Sequence, residues 1–223
     1  MSTTAPPRPR VPAGTARAAL TAGLLTALAG GCLLAAAGGA AVAVTGRHDG
    51  PWVLGRSAGV TAFALLTSLV LTGLVLAHPR AARLRVPHPR TRLALHSGLA
   101  AFTLVFVALH VVVLATDRHV GVGWSGAAVP FASAYRPLPV TLGVLGAYAG
   151  LVAGVTAALA GRGAGRWWFP VHKVAAGSFV LVWLHGVLAG SDALALRLLY
   201  AASGTAVAVL AAARYLAPRG DRP

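Results

Sequence analysis

The chain has 223 residues, of which 57% are apolar and only 10% charged, with a mean hydropathy of +0.75. So few polar side chains cannot cover a soluble domain of this length, which excludes an ordinary soluble fold and points to a membrane-embedded one. The net charge of +15 would suit nucleic acid, but no basic stripe lies on a soluble face. The arginines stand at the ends of apolar runs, where anionic lipid headgroups are the expected partners.

Residues 1–16 are rich in Pro, Thr and Arg and read as a disordered basic tail. The apolar run that follows, 17–45, is too long for a signal-peptide core. Ala29-Gly30-Gly31-Cys32 lacks the leucine that a lipoprotein cleavage box carries three residues before its cysteine, so a retained first span is expected. Cys32, the only cysteine, has no intramolecular disulfide partner, and any redox chemistry must come from a bound cofactor.

Further apolar runs at 54–77, 93–115, 138–160, 170–190 and 193–216 are each long enough to cross a bilayer. The expected architecture is all-α: a six-helix transmembrane bundle over residues 17–216, with a short tail at 217–223. If the N-terminus is inside, fourteen of the 19 Lys and Arg residues fall in internal segments and five, Arg47, Arg56, Arg118, Arg136 and Arg197, in external ones. This positive-inside bias places both termini in the cytoplasm. Asp49, Asp117 and Asp192 fall outside and no acidic residue lies within a span, which counts against a pump or cation transporter built on a buried carboxylate.

Between the spans, residues 78–92 hold His78-Pro79, Val86-Pro87-His88-Pro89 and five arginines, a connection and not a continued helix. The external stretch from Thr116 to Pro137 is the longest loop, with Trp124, Phe131, Tyr135 and three glycines. It reads either as a lid over the outer face or as a plain connector. Gly190-Ser191-Asp192 reads as a tight hairpin that makes spans five and six antiparallel neighbours. Gly30, Gly31, Gly38 and Gly39 in span one, and Gly143, Gly146, Gly150 and Gly154 in span four, suit close helix packing. No Walker loop, dinucleotide fingerprint or nucleophile elbow is present.

Four histidines stand inside the apolar spans: His96 and His110, fourteen residues apart in span three, and His172 and His185, thirteen apart in span five. The separations correspond to about 21 Å and about 20 Å along a helix axis, so two neighbouring helices would offer two level rungs, one near each membrane face. His96 and His110 lie within about 40° of one another around an ideal helix, whereas His172 and His185 differ by roughly 140°. Span five must therefore be distorted, with Gly177 or Gly186 as candidate points, or the ligands must grip from different angles. A lone buried histidine commonly hydrogen-bonds a neighbouring helix. Four at matched depths suit axial ligation of two haem irons, and division into two distant pairs disfavours zinc, which needs three or four ligands converging.

At these residues the chain resembles the ferric reductase-like transmembrane domain family, which includes ferric-chelate reductases, the membrane part of NADPH oxidases and the haem-binding subunit of a bacterial methionine-sulfoxide reductase. The resemblance covers spans two to six and rests on His96, His110, His172 and His185 together with Gly55-Arg56 at the opening of span two. It implies that the four histidines ligate two b-type haems carrying electrons from a cytoplasmic donor to an external acceptor. Oxidase and ferric-reductase members commonly continue into a flavin and nicotinamide domain. Here the chain runs only to Arg219-Gly220-Asp221-Arg222-Pro223, so the donor is expected to be a separate flavoprotein, another subunit or a membrane quinol, and the chain an electron-transfer subunit.

Arg56 is a candidate partner for an outer-haem propionate, and Arg92 and Lys173 for an inner one, each with the plain alternative of a headgroup anchor. Phe179 and Trp183 lie between the ligand levels, either between the haems or in packing. His48, His78, His88 and His119 read as solvated, with His119 on the outer loop where an acceptor metal could bind. The expectation is a multi-pass, di-haem b cytochrome of a bacterial plasma membrane; the alternative is a haem-free, histidine-lined proton or metal transporter.

Overall fold

The structure is a computed structural model that describes residues 50–78, 89–159, 168–190 and 193–217. The expected tail 1–16, the first span 17–45 and all but the start of the segment 217–223 lie outside the described residues, as do Cys32, His48 and His88. Among the described residues the fold is all-helical, and five of the six expected spans are present as helices long and apolar enough to cross a membrane.

In chain order these are α1 (Gly50–Ala77), α2 (Pro89–Thr116), the short α3 (Gly123–Ala128), α4 (Pro137–Ala158), α5 (Trp168–His172), α6 (Val174–Ala189) and α7 (Arg197–Leu216). Prolines mark the starts: Pro51, Pro89, Pro137 and Pro170 all sit in a first turn, where the missing N–H has no intrahelical partner to lose. Inside the helices the hydroxyls turn back on their own backbone. Thr61, Thr67, Ser68, Ser97, Thr103 and Thr156 each donate to the carbonyl four residues earlier, at 2.7–3.0 Å. Polar side chains are thereby satisfied within a segment that meets no water.

The packing divides into two pairs, α1 along α2 and α4 along α5–α6, with α7 lying mainly against α1 and touching α6. The last contact fits the short connection expected between spans five and six, which the Ala193 N–H closes onto the Gly190 carbonyl at 3.3 Å. α2 meets α4 only lightly, and a cavity of about 1360 Å³ lies between the pairs.

A small aromatic core fixes α1, α6 and α7 to one another. Phe63 stacks on Phe179 at 6.2 Å between ring centres and meets Tyr200 at 5.2 Å. The Trp183 indole N–H donates to the Tyr200 carbonyl at 2.9 Å, and Gly186 and Gly204 leave room for Tyr200 and Trp183 respectively. Phe179 and Trp183 are thus packing residues, neither lining the cavity. The outward faces carry exposed Val112, Leu151, Val155, Val180 and Val209, an apolar surface that lipid covers.

Phe63→Ala empties the centre of the aromatic core. It is expected to cost about 3 kcal/mol, the low end for a buried aromatic because lipid is as apolar as the core. Thermal unfolding in detergent checks this, with lipid-facing Val180→Ala as the control expected to leave Tm nearly unchanged.

Candidate functional site

The antiparallel run of α1 and α2 brings His110 beside Gly59 and His96 beside Gly73. On the other side of the cavity, α4 receives His185 beside Gly143 and His172 at the level of Ala153. The rings meet across the gap as the sequence predicts. His96 and His172 have ring centres 6.3 Å apart with planes at 70°, and His110 and His185 are also 6.3 Å apart, at 77°. All four line the same cavity.

Each histidine is fixed through Nδ1. His110 Nδ1–H donates to the Gly55 carbonyl at 2.6 Å, His185 to Pro139 at 2.8 Å and His172 to Ala153 at 3.1 Å. His96 Nδ1 lies 3.1 Å from the Thr72 hydroxyl, which spends its own proton on the Leu69 carbonyl at 2.9 Å and so accepts from the ring. A carbonyl can only accept, so Nδ1 carries the proton and, in a neutral ring, Nε2 is left as a bare lone pair.

That leaves each pair with two acceptor nitrogens and no hydrogen bond to make between them. A direct N–H···N bond would also put ring centres nearer about 5 Å. A metal bonded at about 2 Å to one nitrogen of each ring, with about 1.1 Å from nitrogen to ring centre, gives roughly 6.2 Å. The donor set, the Nδ1 anchoring typical of metal-bound histidine and the separation all suit one metal between each pair. No group of three or more His, Cys, Asp or Glu converges among the described residues, so a four-ligand zinc site is not formed. A two-ligand axial set instead suits a metal whose equatorial positions are filled by a macrocycle. The cavity is also larger than the ~300–1,000 Å³ of a single small-molecule site.

The thirteen-residue spacing is absorbed at Lys173, not at Gly177 or Gly186. Span five is two helices, α5 and α6, joined where the Lys173 N–H bonds to Pro170 (3.3 Å) and the Ala176 N–H bonds to Lys173 (3.0 Å). Both bonds reach back three residues. A residue so wound rises about 0.5 Å further and turns about 20° more than in an α-helix, which moves the thirteen-residue interval towards the fourteen-residue one. His172 and His185 are held at Ala153 and Pro139, fourteen residues apart on α4. Gly177 faces open space and Gly186 serves the contact with Tyr200.

Cations stand at both ends of the cavity. Arg56 lines it near His110, its guanidinium 5.1 Å over the Trp52 ring. At the His96 end the lining includes Arg90, Lys173 and Arg214, with Trp168 beside His172 at 6.0 Å. Arg92 is buried and is not among the lining residues, whereas Arg90, two residues earlier, is. A long side chain in the first turn of α2 can be drawn inward or outward, and helical register does not choose between them. His119 is exposed, its backbone N–H bonded to Asp117, and does not reach the cavity.

The loop from Thr116 to Pro137 is folded over the His110–His185 end as a lid. It contains α3, whose Gly126 packs directly on Ser133; the Phe131 N–H donates to Thr141 at 2.7 Å, and the Tyr148 hydroxyl bonds to the Ala128 carbonyl. Val122, Ala127 and Tyr135 from this segment line the cavity. Arg136 lies over Tyr135 and donates to the Leu188 and Ala189 carbonyls at 3.0 and 3.2 Å, tying the lid to the C-terminus of α6.

No protein family, curated protein or solved structure matches this chain. The reading of the site therefore rests on its own geometry. Gly59, Gly73 and Thr72 take part in it unanticipated, although Gly59 and Gly73 are fourteen residues apart, the spacing of His96 and His110.

The tautomer assignment has a direct check. Ring 15N shifts of the metal-free chain at neutral pH should report a protonated Nδ1 and a bare Nε2 for all four histidines. A dominant Nε2–H form at any of the four would contradict the bonding at that ring.

Proposed function

We propose that the protein is a di-haem b cytochrome of a cell membrane, most simply a bacterial plasma membrane, that passes electrons between its two faces. The observation that carries the reading is the set of four histidines anchored through Nδ1 and paired at 6.3 Å between ring centres. His96 and His172 would hold one haem and His110 and His185 the other. When bound, the two groups supply reversible one-electron chemistry.

The chain's own residues do the rest. The carbonyls of Gly55, Pro139 and Ala153 and the Thr72 hydroxyl hold the rings in the ligating tautomer and orientation. Arg56 at one end and Arg90, Lys173 and Arg214 at the other offer positive charge to the carboxylates of a bound porphyrin. Phe63 and Tyr200 of the aromatic core give the cavity part of its apolar wall. The lid shields the His110–His185 end from direct solvent access, restricting which acceptors approach.

Charge asymmetry in the sequence, fourteen Lys and Arg residues against five, supports a six-span topology with both termini cytoplasmic and the lid outside. On that orientation electrons move from the His96–His172 level to the His110–His185 level and on to an extracytoplasmic acceptor. A cytoplasmic reductase or a membrane quinol supplies the electrons.

Chain purified after expression with ample haem should carry two haems, by pyridine haemochrome assay, and show a dithionite-induced α band. A haem-free spectrum would overturn the proposal, and proton or metal transport by such protein in liposomes would favour a transporter. His96→Ala or His172→Ala should halve the haem content, as should His110→Ala or His185→Ala, with the remaining signal differing between the two sets. Thr72→Val should weaken haem retention at the His96 site about tenfold, the lower end for loss of an outer-shell partner, and Thr72→Ser should restore it.

A further inference from the structure

Three of the histidines are held at a helix carbonyl and His96 at a hydroxyl that itself donates to one, and at three of these four carbonyls the position four residues on is a glycine. The Gly55 carbonyl is followed by Gly59, the Pro139 carbonyl by Gly143, and the Leu69 carbonyl, which takes the Thr72 hydroxyl, by Gly73. In an α-helix the residue four positions on lies directly above the carbonyl, and its Cβ leans back towards it. A methyl group there would stand in the lane through which a ring reaches the carbonyl oxygen. A Cβ on Gly59 would come 2.7 Å from His110 Nδ1, on Gly143 2.9 Å from His185 Nδ1, and on Gly73 3.1 Å from His96 Cε1.

The fourth position breaks the pattern. Ala153 accepts from His172, and four residues on stands Ala157, which lines the cavity. Its bond is 3.1 Å, against 2.6 and 2.8 Å at the two carbonyls followed by glycine. The slots also repeat: Gly59 and Gly73 are fourteen residues apart, and so are Gly143 and Ala157. Two helices that carry no ligand thus bear evenly spaced seats about 21 Å apart, and the turn at Lys173 brings His172 and His185 to that spacing.

We infer that α1 and α4 are rulers for the ligands: Gly59, Gly73 and Gly143 are positioning residues whose missing side chains seat the histidines, and Ala157 leaves His172 the most loosely seated of the carbonyl-bound rings. The inference rests on the di-haem reading for its consequence in haem binding, but the seating itself is a property of the chain.

The test compares Gly59→Ala, Gly143→Ala, Gly73→Ala and Ala157→Gly with two controls, Gly98→Ala and Gly177→Ala, at helical glycines with open space around them. Ring 15N shifts on metal-free full-length chain read the seating, and haem retention with low-spin EPR signals reads its consequence. Gly59→Ala and Gly143→Ala should disturb His110 and His185 respectively, with haem binding at that site about 10–100-fold weaker. Gly73→Ala should shift His96 less, and Ala157→Gly should strengthen the His172 Nδ1 bond and move only the EPR signal of the His96–His172 site. Controls that perturb the rings as much as Gly59→Ala does, or ring shifts unchanged in both Gly59→Ala and Gly143→Ala, would overturn the inference. An unchanged His172 in Ala157→Gly would overturn it for the fourth seat. Wild-type chain that takes up no haem would sink the cytochrome reading alone, because the ring shifts still decide the seating.

Discussion

The hydrogen bond from a histidine Nδ1–H to an acceptor on a neighbouring helix is the interaction on which the rest of the site depends. An imidazole among apolar side chains must satisfy one nitrogen as a donor, and a helix carbonyl that already accepts from within its own helix retains a second lone pair for the purpose. Once that bond is made, the other nitrogen is a bare lone pair directed away from the helix that holds the ring. Two such rings facing each other have no direct hydrogen bond to exchange, and on that arrangement the haem proposal rests. Tautomer, separation and partner helix therefore follow from a single type of contact repeated four times.

The surrounding bundle is arranged so that these contacts are possible. α1 pairs with α2 and α4 with α5–α6, so each ligand helix lies against a helix that bears no ligand but supplies the acceptors. Small residues on those supporting helices bring backbone close to ring, a use of glycine that van der Waals packing in lipid favours. The aromatic core of Phe63, Phe179 and Tyr200 stands to one side and ties in α7, leaving the space between the two pairs open. The lid is held by hydroxyl and backbone bonds around Thr141, Tyr148 and Arg136, so one end of that space is roofed.

Much of this was legible in the residue order. Apolar runs bounded by proline, arginine and short polar stretches marked the five spans that the structure describes, because burial in lipid demands length and apolarity above all else. The pairing of His96 with His172 and of His110 with His185 followed from alternating helix direction. Less legible was anything requiring knowledge of which faces meet. Gly59 and Gly73 looked like ordinary small residues until α1 was seen to run antiparallel to α2. Arg90 lines the cavity and the candidate Arg92 does not, although both long side chains leave the same helical turn. Phe179 and Trp183 sat at the right depth to lie between the ligand levels, yet they face Tyr200.

What the sequence determined by itself was depth. Rise per residue is nearly constant along a helix, so the positions of charges, prolines and histidines along each span followed from counting. What only the tertiary structure decided was direction around each helix axis and the identity of neighbours, because a few residues of tighter winding rotate everything beyond them. The turn at Lys173 is that case: Pro170 and the bonds that reach back three residues convert a thirteen-residue interval into one that matches the fourteen-residue spacing of the helices against which it packs.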